Sequence, residues 1–325
     1  MSMDPGDVPG WQKVAGQFVT AVESGLLDLP LPGAGRTGAR WAALAALAQR
    51  DLSLARLCEG HTDAVAILTE LAGPRPEPGS RWGVWAAQPP GPSLSARPTG
   101  AGWVLEGTKQ YCSGARVCTH ALVTADAPDG IRLFALPVAG LAPLPGSWPA
   151  TGMAASDTLD VRFAAVPAEP VGPVGAYVER PGFHHGGAGV AACWYGGAKA
   201  VAATLLDAAT QRDIGPHALA HLGAVDITLH NARAALERAA EEIDADPHDH
   251  KSAGRMRSLR LKSLVEAAAS EVLSRVGRAL GAGPLGHDGP HGRRVADLTV
   301  YLRQHHAERD LAALGSLVAE QGTRW

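Results

Sequence analysis

The sequence predicts an α+β fold in three parts: a helical domain over residues 1–78, an antiparallel β-barrel over 79–176, and an antiparallel helix bundle over 177–325. Three changes of texture carry this reading. The opening stretches "ARWAALAALAQRDLSLARL" and "DAVAILTELAG" are rich in Ala and Leu, and the second is closed by Gly73 and Pro74. From Trp82 to about Val174 the chain turns into short apolar segments separated by Gly, Pro and Asp. Beyond that it is helical in pattern to its end.

Taken in order, "GPRPEPGSRWG" breaks the first helical part. The segments "GWVLEG", "HALVTA", "IRLFALPV" and "TLDVRFAAV" then have the length and spacing of strands in a small barrel or sandwich. "AEPVGPVGAYVERPG" is the next linker. Gly186 to Leu206 carries one charge, Lys199, but its apolarity comes from Ala and Gly. A buried core helix is predicted there rather than a membrane span. Gly196 and Gly197 within it suit close helix packing or approach to a cofactor. Leu222, Val225, Leu229, Ala232, Leu236 and Ala239 trace one helical stripe, and Leu261, Leu264, Val265, Ala268, Ala269, Val272, Leu273, Val276 and Leu280 trace another. The polar connection "DADPHDHKSAG" between them implies antiparallel neighbours.

Composition excludes several classes of function. A chain of 325 residues with 46% hydrophobic content supports sizeable cores, and a formal net charge of −3 offers no pull toward nucleic acid or an anionic membrane. Cys58, Cys112, Cys118 and Cys193 show no zinc or disulfide spacing, which fits a reducing cytoplasm. "MSMDPGDVPG" lacks the basic-then-apolar pattern of an export signal. His217 and His221 stand one helical turn apart, yet no third ligand follows them, so no metal is expected. Arg255, Arg257, Arg260 and Lys262 form a basic cluster that reads as a solvated helix face, with phosphate contact as the alternative.

The most informative stretch is "EGTKQYCSGARVCTHALVTA", Glu106 to Ala125. It resembles the acyl-CoA dehydrogenase superfamily, in which a run of the type G-x-K-x-aromatic ends in a hydroxyl residue before the next strand. "GMAASDTLDVRFAAVPAEPVGP" is similar to the family's Gly-Met segment, strand and V-P connection, and "ALGAGPLGHDGPHGRRVADLTVY" to its Gly-Gly turn and Arg-Asp helix start. The resemblance covers most of the chain from Trp82 onward. It implies an acyl-CoA dehydrogenase-like fold with FAD bound between barrel and bundle, partly by a neighbouring subunit of a homodimer or tetramer. The substrate implied is a small molecule, an acyl-CoA or acyl carrier thioester. Tyr111 would pack beside the flavin with an apolar face and polar tip. Ser113 would meet the reactive flavin nitrogen, since a hydroxyl both donates and accepts.

Departures from the family pattern shape the remaining expectations. "WAAQPPGPSLS" places Ala87 and Gln88 where the family has Thr-Glu, leaving Gln88 as a flavin-binding candidate and Ser93 as a substrate-binding one. "QRDIG" offers Arg212 for the pyrophosphate, one position from the family's arginine, and Gly281 and Gly283 suit a backbone approach to the cofactor. No Glu stands where many members carry the catalytic base. Counting eight residues from Asp297 reaches His305, while the helix used by other members holds His184 and His185. His305 and His185 are therefore the candidate proton carriers, and His184 a substrate-binding candidate. The helical portion before the barrel is short, which argues against long acyl chains. The leading expectation is an FAD-dependent oxidoreductase. A flavin monooxygenase of the same fold, which needs no such base, is one alternative; a degenerate, non-catalytic binding or scaffold subunit is the other.

Overall fold

In the computed structural model, residues 10–91, 93–100 and 102–322 are described. The first nine residues, from which no export signal was expected, and Pro92 in the Pro-rich stretch lie outside them. The chain opens with α1 (Gly10–Glu23), α2 (Thr37–Arg50) and α3 (Leu52–Glu70). Seven strands follow: β1 (Trp82–Trp85), β2 (Leu94–Thr99), β3 (Gly102–Cys112), β4 (His120–Ala127), β5 (Gly130–Pro137), β6 (Ala142–Leu144) and β7 (Leu159–Pro170). The helices then run α4 (Ala176–Glu179), α5 (Pro181–Gln211), α6 (Gly215–Ala245), α7 (Gly254–Leu280), α8 (Gly283–His287), α9 (Gly289–Tyr301) and α10 (Glu308–Gln321). By packing the chain divides into two compact units. One comprises Met1–Leu29, Arg56–Ala150 and Ala154–Phe183; the other comprises Pro30–Ala55, Thr151–Met153 and His184–Trp325.

In the first unit β4, β2, β3, β7 and β5 close a ring, β5 pairing back onto β4. The sheet is mixed, which corrects the expectation of an antiparallel barrel. β1 runs parallel to β4 from Trp82 opposite His120 to Trp85 opposite Val123, and β2 meets β4 in parallel at Ser95 and Asp126. The reason is topological. A complete β2–β3 hairpin separates β1 from β4, and a connection of that length lets the chain return in the same direction. The continuous apolar runs of β4 and β5 mark strands buried on both faces. Phe134, Leu136, Ala121 and Val123 fill the barrel together with Trp85, Leu105 and Phe163. Leu122, Leu133 and Ala135 face outward onto Ala64, Ile67 and Leu68 of α3. Each such phenyl or leucyl side chain contributes about 2 kcal/mol by leaving water.

The second unit is built on α5, α6 and α7. Most of α5 is buried, including the whole stretch from Gly189 to Trp194. Among the described residues no helix is long and apolar enough to cross a membrane. A Cβ on Gly196 would stand 2.1 Å from the Ala45 carbonyl oxygen, so this glycine is what lets α5 and α2 approach. Val225, Ala232, Leu236 and Ala239 of α6 and Leu261, Val265, Ala269, Val272 and Val276 of α7 are buried, whereas Leu222, Leu229, Ala268, Leu273 and Leu280 of the same stripes are half-buried and Leu264 is exposed. All four cysteines are buried, and burial pushes Cys58 and Cys118 up to about 12. Among the described residues no group of His, Cys, Asp or Glu is arranged to hold a metal ion.

Candidate active site at the barrel rim

β3 ends in an irregularity. Its register against β7 shifts between Lys109 and Cys112, and Tyr111 sits at φ +59, a conformation uncommon for a residue with a side chain. The bulge turns Tyr111 outward, where it is 46% exposed and meets Trp148 edge-on at 6.1 Å. Cys112 returns to the barrel core. Ser113 is thereby left half-buried on the rim. The Trp85 indole N–H holds its carbonyl at 3.0 Å.

The Ser113 hydroxyl belongs to a chain of polar groups. Its Oγ lies 2.9 Å from the Thr158 hydroxyl, which lies 2.7 Å from that of Ser156. Arg56 Nε donates to Ser113 Oγ at 3.3 Å, while the rest of the guanidinium pairs with Glu59. With Arg56 as donor, the single Ser113 proton is directed to Thr158 or to an incoming acceptor. The segment carrying Thr158 is fixed from both sides. Gly114 and Ala115 donate backbone N–H groups to the Ser156 and Asp157 carbonyls at 2.9 and 3.1 Å. The Asp157 carboxylate accepts from Arg116 N at 2.8 Å and Nε at 2.7 Å, and the Arg116 guanidinium lies 3.7 Å above the Trp11 ring. Nearby on α3, buried His61 accepts the Trp82 backbone N–H at Nδ1, 3.2 Å away. Burial lowers its pKa to about 4, so the ring is neutral.

A cavity of about 170 Å³ in the same unit is lined by Gln88 and Ser93 together with Lys109, Thr124 and Asp126. Lys109 is buried and gives two hydrogen bonds to Thr124, at 2.7 Å to its carbonyl and 2.9 Å to its hydroxyl. Desolvation brings its pKa down to about 8. Gln88 and Ser93 are themselves exposed.

The other six predicted residues belong to the second unit. Buried His185 places Nε2 3.0 Å from the Pro247 carbonyl. His184 is half-buried, and burial lowers its pKa. His305 does not sit on a helix. α9 stops at Tyr301 and a 3-10 turn, Leu302–Gln304, carries the chain to His305. That ring is buried, with Nε2 2.9 Å from Ser263 Oγ and 3.9 Å from the Asp310 carboxylate; desolvation again lowers its pKa. Arg212 is exposed just past the end of α5. Gly281, at φ +66, ends α7 and Gly283 begins α8. Asp297, read as part of the Arg-Asp start, is buried and accepts the Met153 backbone N–H; burial raises its carboxyl to about 6.

Sequence reasoning missed Arg56, Glu59, His61 and Thr158. A signal was present for the helix residues. Arg56, Glu59 and Asp63 recur at helical spacing inside an otherwise apolar segment, which marks a polar face turned toward something other than lipid or core.

No protein-family model matches the chain, and no curated protein matches it. Solved structures do. Dibenzothiophene monooxygenase (TdsC) from Paenibacillus sp. A11-2 superposes with a TM-score of 0.76 at 21% identity, covering 96% of this chain and 96% of that one. Methanesulfinate monooxygenase MsuC from Pseudomonas fluorescens gives 0.77 at 19% identity, covering 100% and 99%. A steroid ACAD variant, Tcur3481-Tcur3483, gives 0.68 at 22% identity, covering 96% and 88%. The chain has the acyl-CoA dehydrogenase fold. The acyl-CoA dehydrogenase fold is thus common to this chain, the two monooxygenases and the dehydrogenase, and at these identities the likeness concerns architecture.

Proposed function

We propose that the protein is a flavin-dependent oxidoreductase acting on a small molecule, with Ser113 and Tyr111 meeting the flavin ring. The hydroxyl chain Ser113–Thr158–Ser156, with Arg56 behind it, is the observation that carries this reading. The donor set fits the group. A ring nitrogen that accepts a hydrogen bond when oxidised and donates one when reduced needs a partner able to do both, and Ser113 can reverse its role while Thr158 takes up or releases the displaced bond. Bound flavin would supply two-electron transfer to or from substrate or oxygen. Tyr111 would cover one edge of the ring, and Trp148 supports it.

Of the two enzymatic chemistries, monooxygenation is the better supported. No carboxylate stands at the family's base position, and His305 there is buried and tied to Ser263. Monooxygenation places one oxygen atom of O2 on the substrate and releases the other as water, at the expense of two electrons, and needs no base for an α-proton. TdsC and MsuC are monooxygenases by description, and TdsC has been solved with FMN. FAD in place of FMN requires the ADP half to be held, for which Arg212, Gly281 and Gly283 are the candidates. A homodimer or tetramer remains part of the proposal, and Leu206, Leu219 and Ile227 are exposed apolar side chains that such an interface would cover. Nothing specific favours the scaffold reading.

The deciding experiment mixes the purified protein with FMN and with FAD, reduces the bound flavin anaerobically, then admits oxygen with a panel of aromatic sulfur compounds, amino sugars and acyl thioesters. Oxygenated product supports the proposal. Anaerobic bleaching of oxidised flavin by an acyl thioester would establish the dehydrogenase chemistry instead, and a protein that takes up neither flavin sinks both.

A further inference from the structure

Between α6 and α7, where their connection turns the chain, the second unit opens a groove of about 390 Å³. Arg238, Lys251, Arg257 and Arg260 line it against one carboxylate, Glu242. Arg238 and Arg257 share that carboxylate, their Nε atoms lying 2.9 and 3.1 Å from its two oxygens. Lys251 and Arg260 are exposed and pair with no carboxylate among the described residues. The lining is therefore strongly positive. Met256, Leu261 and Leu264 supply an apolar floor, and Leu264 is 42% exposed.

One atom makes the groove more than a solvated helix face. The Arg257 side chain is only 9% exposed, and its Nη1 is buried without any hydrogen-bond acceptor. A buried charged donor left unsatisfied is costly, and native structures avoid it unless something else supplies the acceptor. The connection is also held in place. Asp246 accepts the His250 and Lys251 amides at 3.0 Å, and Asp249 accepts those of Ala253 and Gly254 at 2.9 and 2.8 Å. These bonds occupy the amides of Ala253 and Gly254 at the start of α7, and the basic lining of the groove is side chains.

We propose that this groove is a binding site for an organic phosphate. Phosphoryl oxygens match the guanidinium fork of Arg257, with Arg260 and Lys251 completing the charge, and the organic body lies over Met256 and Leu264. The cavity has the size usual for small-ligand pockets. The site does not depend on the flavin reading.

Isothermal titration of the full-length protein with ADP and with inorganic pyrophosphate tests it, using the wild type, R257Q, R260Q and K251Q. Expected are saturable ADP binding, a loss of at least tenfold in R257Q, and a several-fold loss in each of the other two. Arg260 and Lys251 are exposed, so their variants report even if R257Q fails to fold, and thermal melts identify that case. Wild-type protein that binds neither probe overturns the proposal, as does ADP affinity unchanged in R260Q and K251Q, which would place the nucleotide elsewhere. ADP binding no tighter than pyrophosphate overturns the assignment of an organic body.

Discussion

The barrel rim at Ser113, expected to meet the flavin, and the niche at His305, expected to carry a proton, are built in opposite ways. At the rim, hydroxyls that can each give or take a proton stand in series from half-buried Ser113 to buried Thr158 and Ser156, with the Arg56 guanidinium donating to the first. Around His305 a neutral ring is enclosed, its Nε2 beside Ser263 Oγ and its Nδ1 buried without a hydrogen-bond partner. An incoming ligand can enter the first arrangement by exchanging one hydrogen bond for another. The second ring is buried and presents almost no surface to a ligand. Reactive-looking residue types thus matter less than whether their hydrogen bonds can be traded without exposing an orphan.

The largest effect expected from this contrast is at the rim. S113A should lower flavin-dependent turnover by two to three powers of ten, as loss of one donor at developing charge does elsewhere. R56M should shift the reduction potential of bound flavin and, by taking an ion-pair partner from buried Glu59, also lower stability. Turnover and potential both unchanged in S113A would remove Ser113 from the site.

Next comes pH, where the two units carry opposite signs. His61, at about 4 when folded against an ordinary 6.5, binds a proton more readily in the unfolded chain. Stability of the first unit should therefore fall as pH drops from about 6.5 to 4, by up to about 3 kcal/mol. Asp297, raised from 3.8 to about 6, binds its proton more readily in the folded chain. The second unit should weaken as pH rises from about 4 to 6, by a similar amount of about 3 kcal/mol. Hydrogen exchange followed separately over strands β3–β5 and helices α5–α9 reads both trends, and H61Q and D297N should flatten each one. Parallel slopes in the two units would contradict the assignment.

D157N sharpens the comparison further. It keeps a residue tolerant of φ +49 but removes the charge that Arg116 faces, so the rim should lose about 2 kcal/mol in chemical denaturation. The smallest effect belongs to the niche. H305N should cost about 1 kcal/mol of stability with turnover within a few-fold of wild type. A collapse of turnover in a folded, flavin-loaded H305N would restore His305 as a proton carrier and with it the dehydrogenase chemistry.

How much of this was legible beforehand follows from where each signal resides. The stripe on α7 and the two-sided apolar runs of β4 and β5 are local, and the elements stand where those patterns put them. Strand direction is not local, and the parallel β1–β4 pair is invisible until the β2–β3 hairpin is known to intervene. Ser113 was readable because it follows a short motif. Thr158, its hydrogen-bond partner, comes from the far side of the barrel in sequence, and Arg56 from a helix whose apolar content dominated its reading. Counting eight residues from Asp297 assumed an unbroken helix, whereas the 3-10 turn after Tyr301 carries His305 to a different facing.

The deep placement of all four sulfur atoms has its own consequence. Held as thiols far above neutral pH, Cys58 and Cys118 present almost no thiolate to an oxidant. If a catalyst that consumes dioxygen occasionally leaks hydrogen peroxide, such a scaffold offers it little to attack, and its lifetime in use should be set by unfolding before sulfur damage.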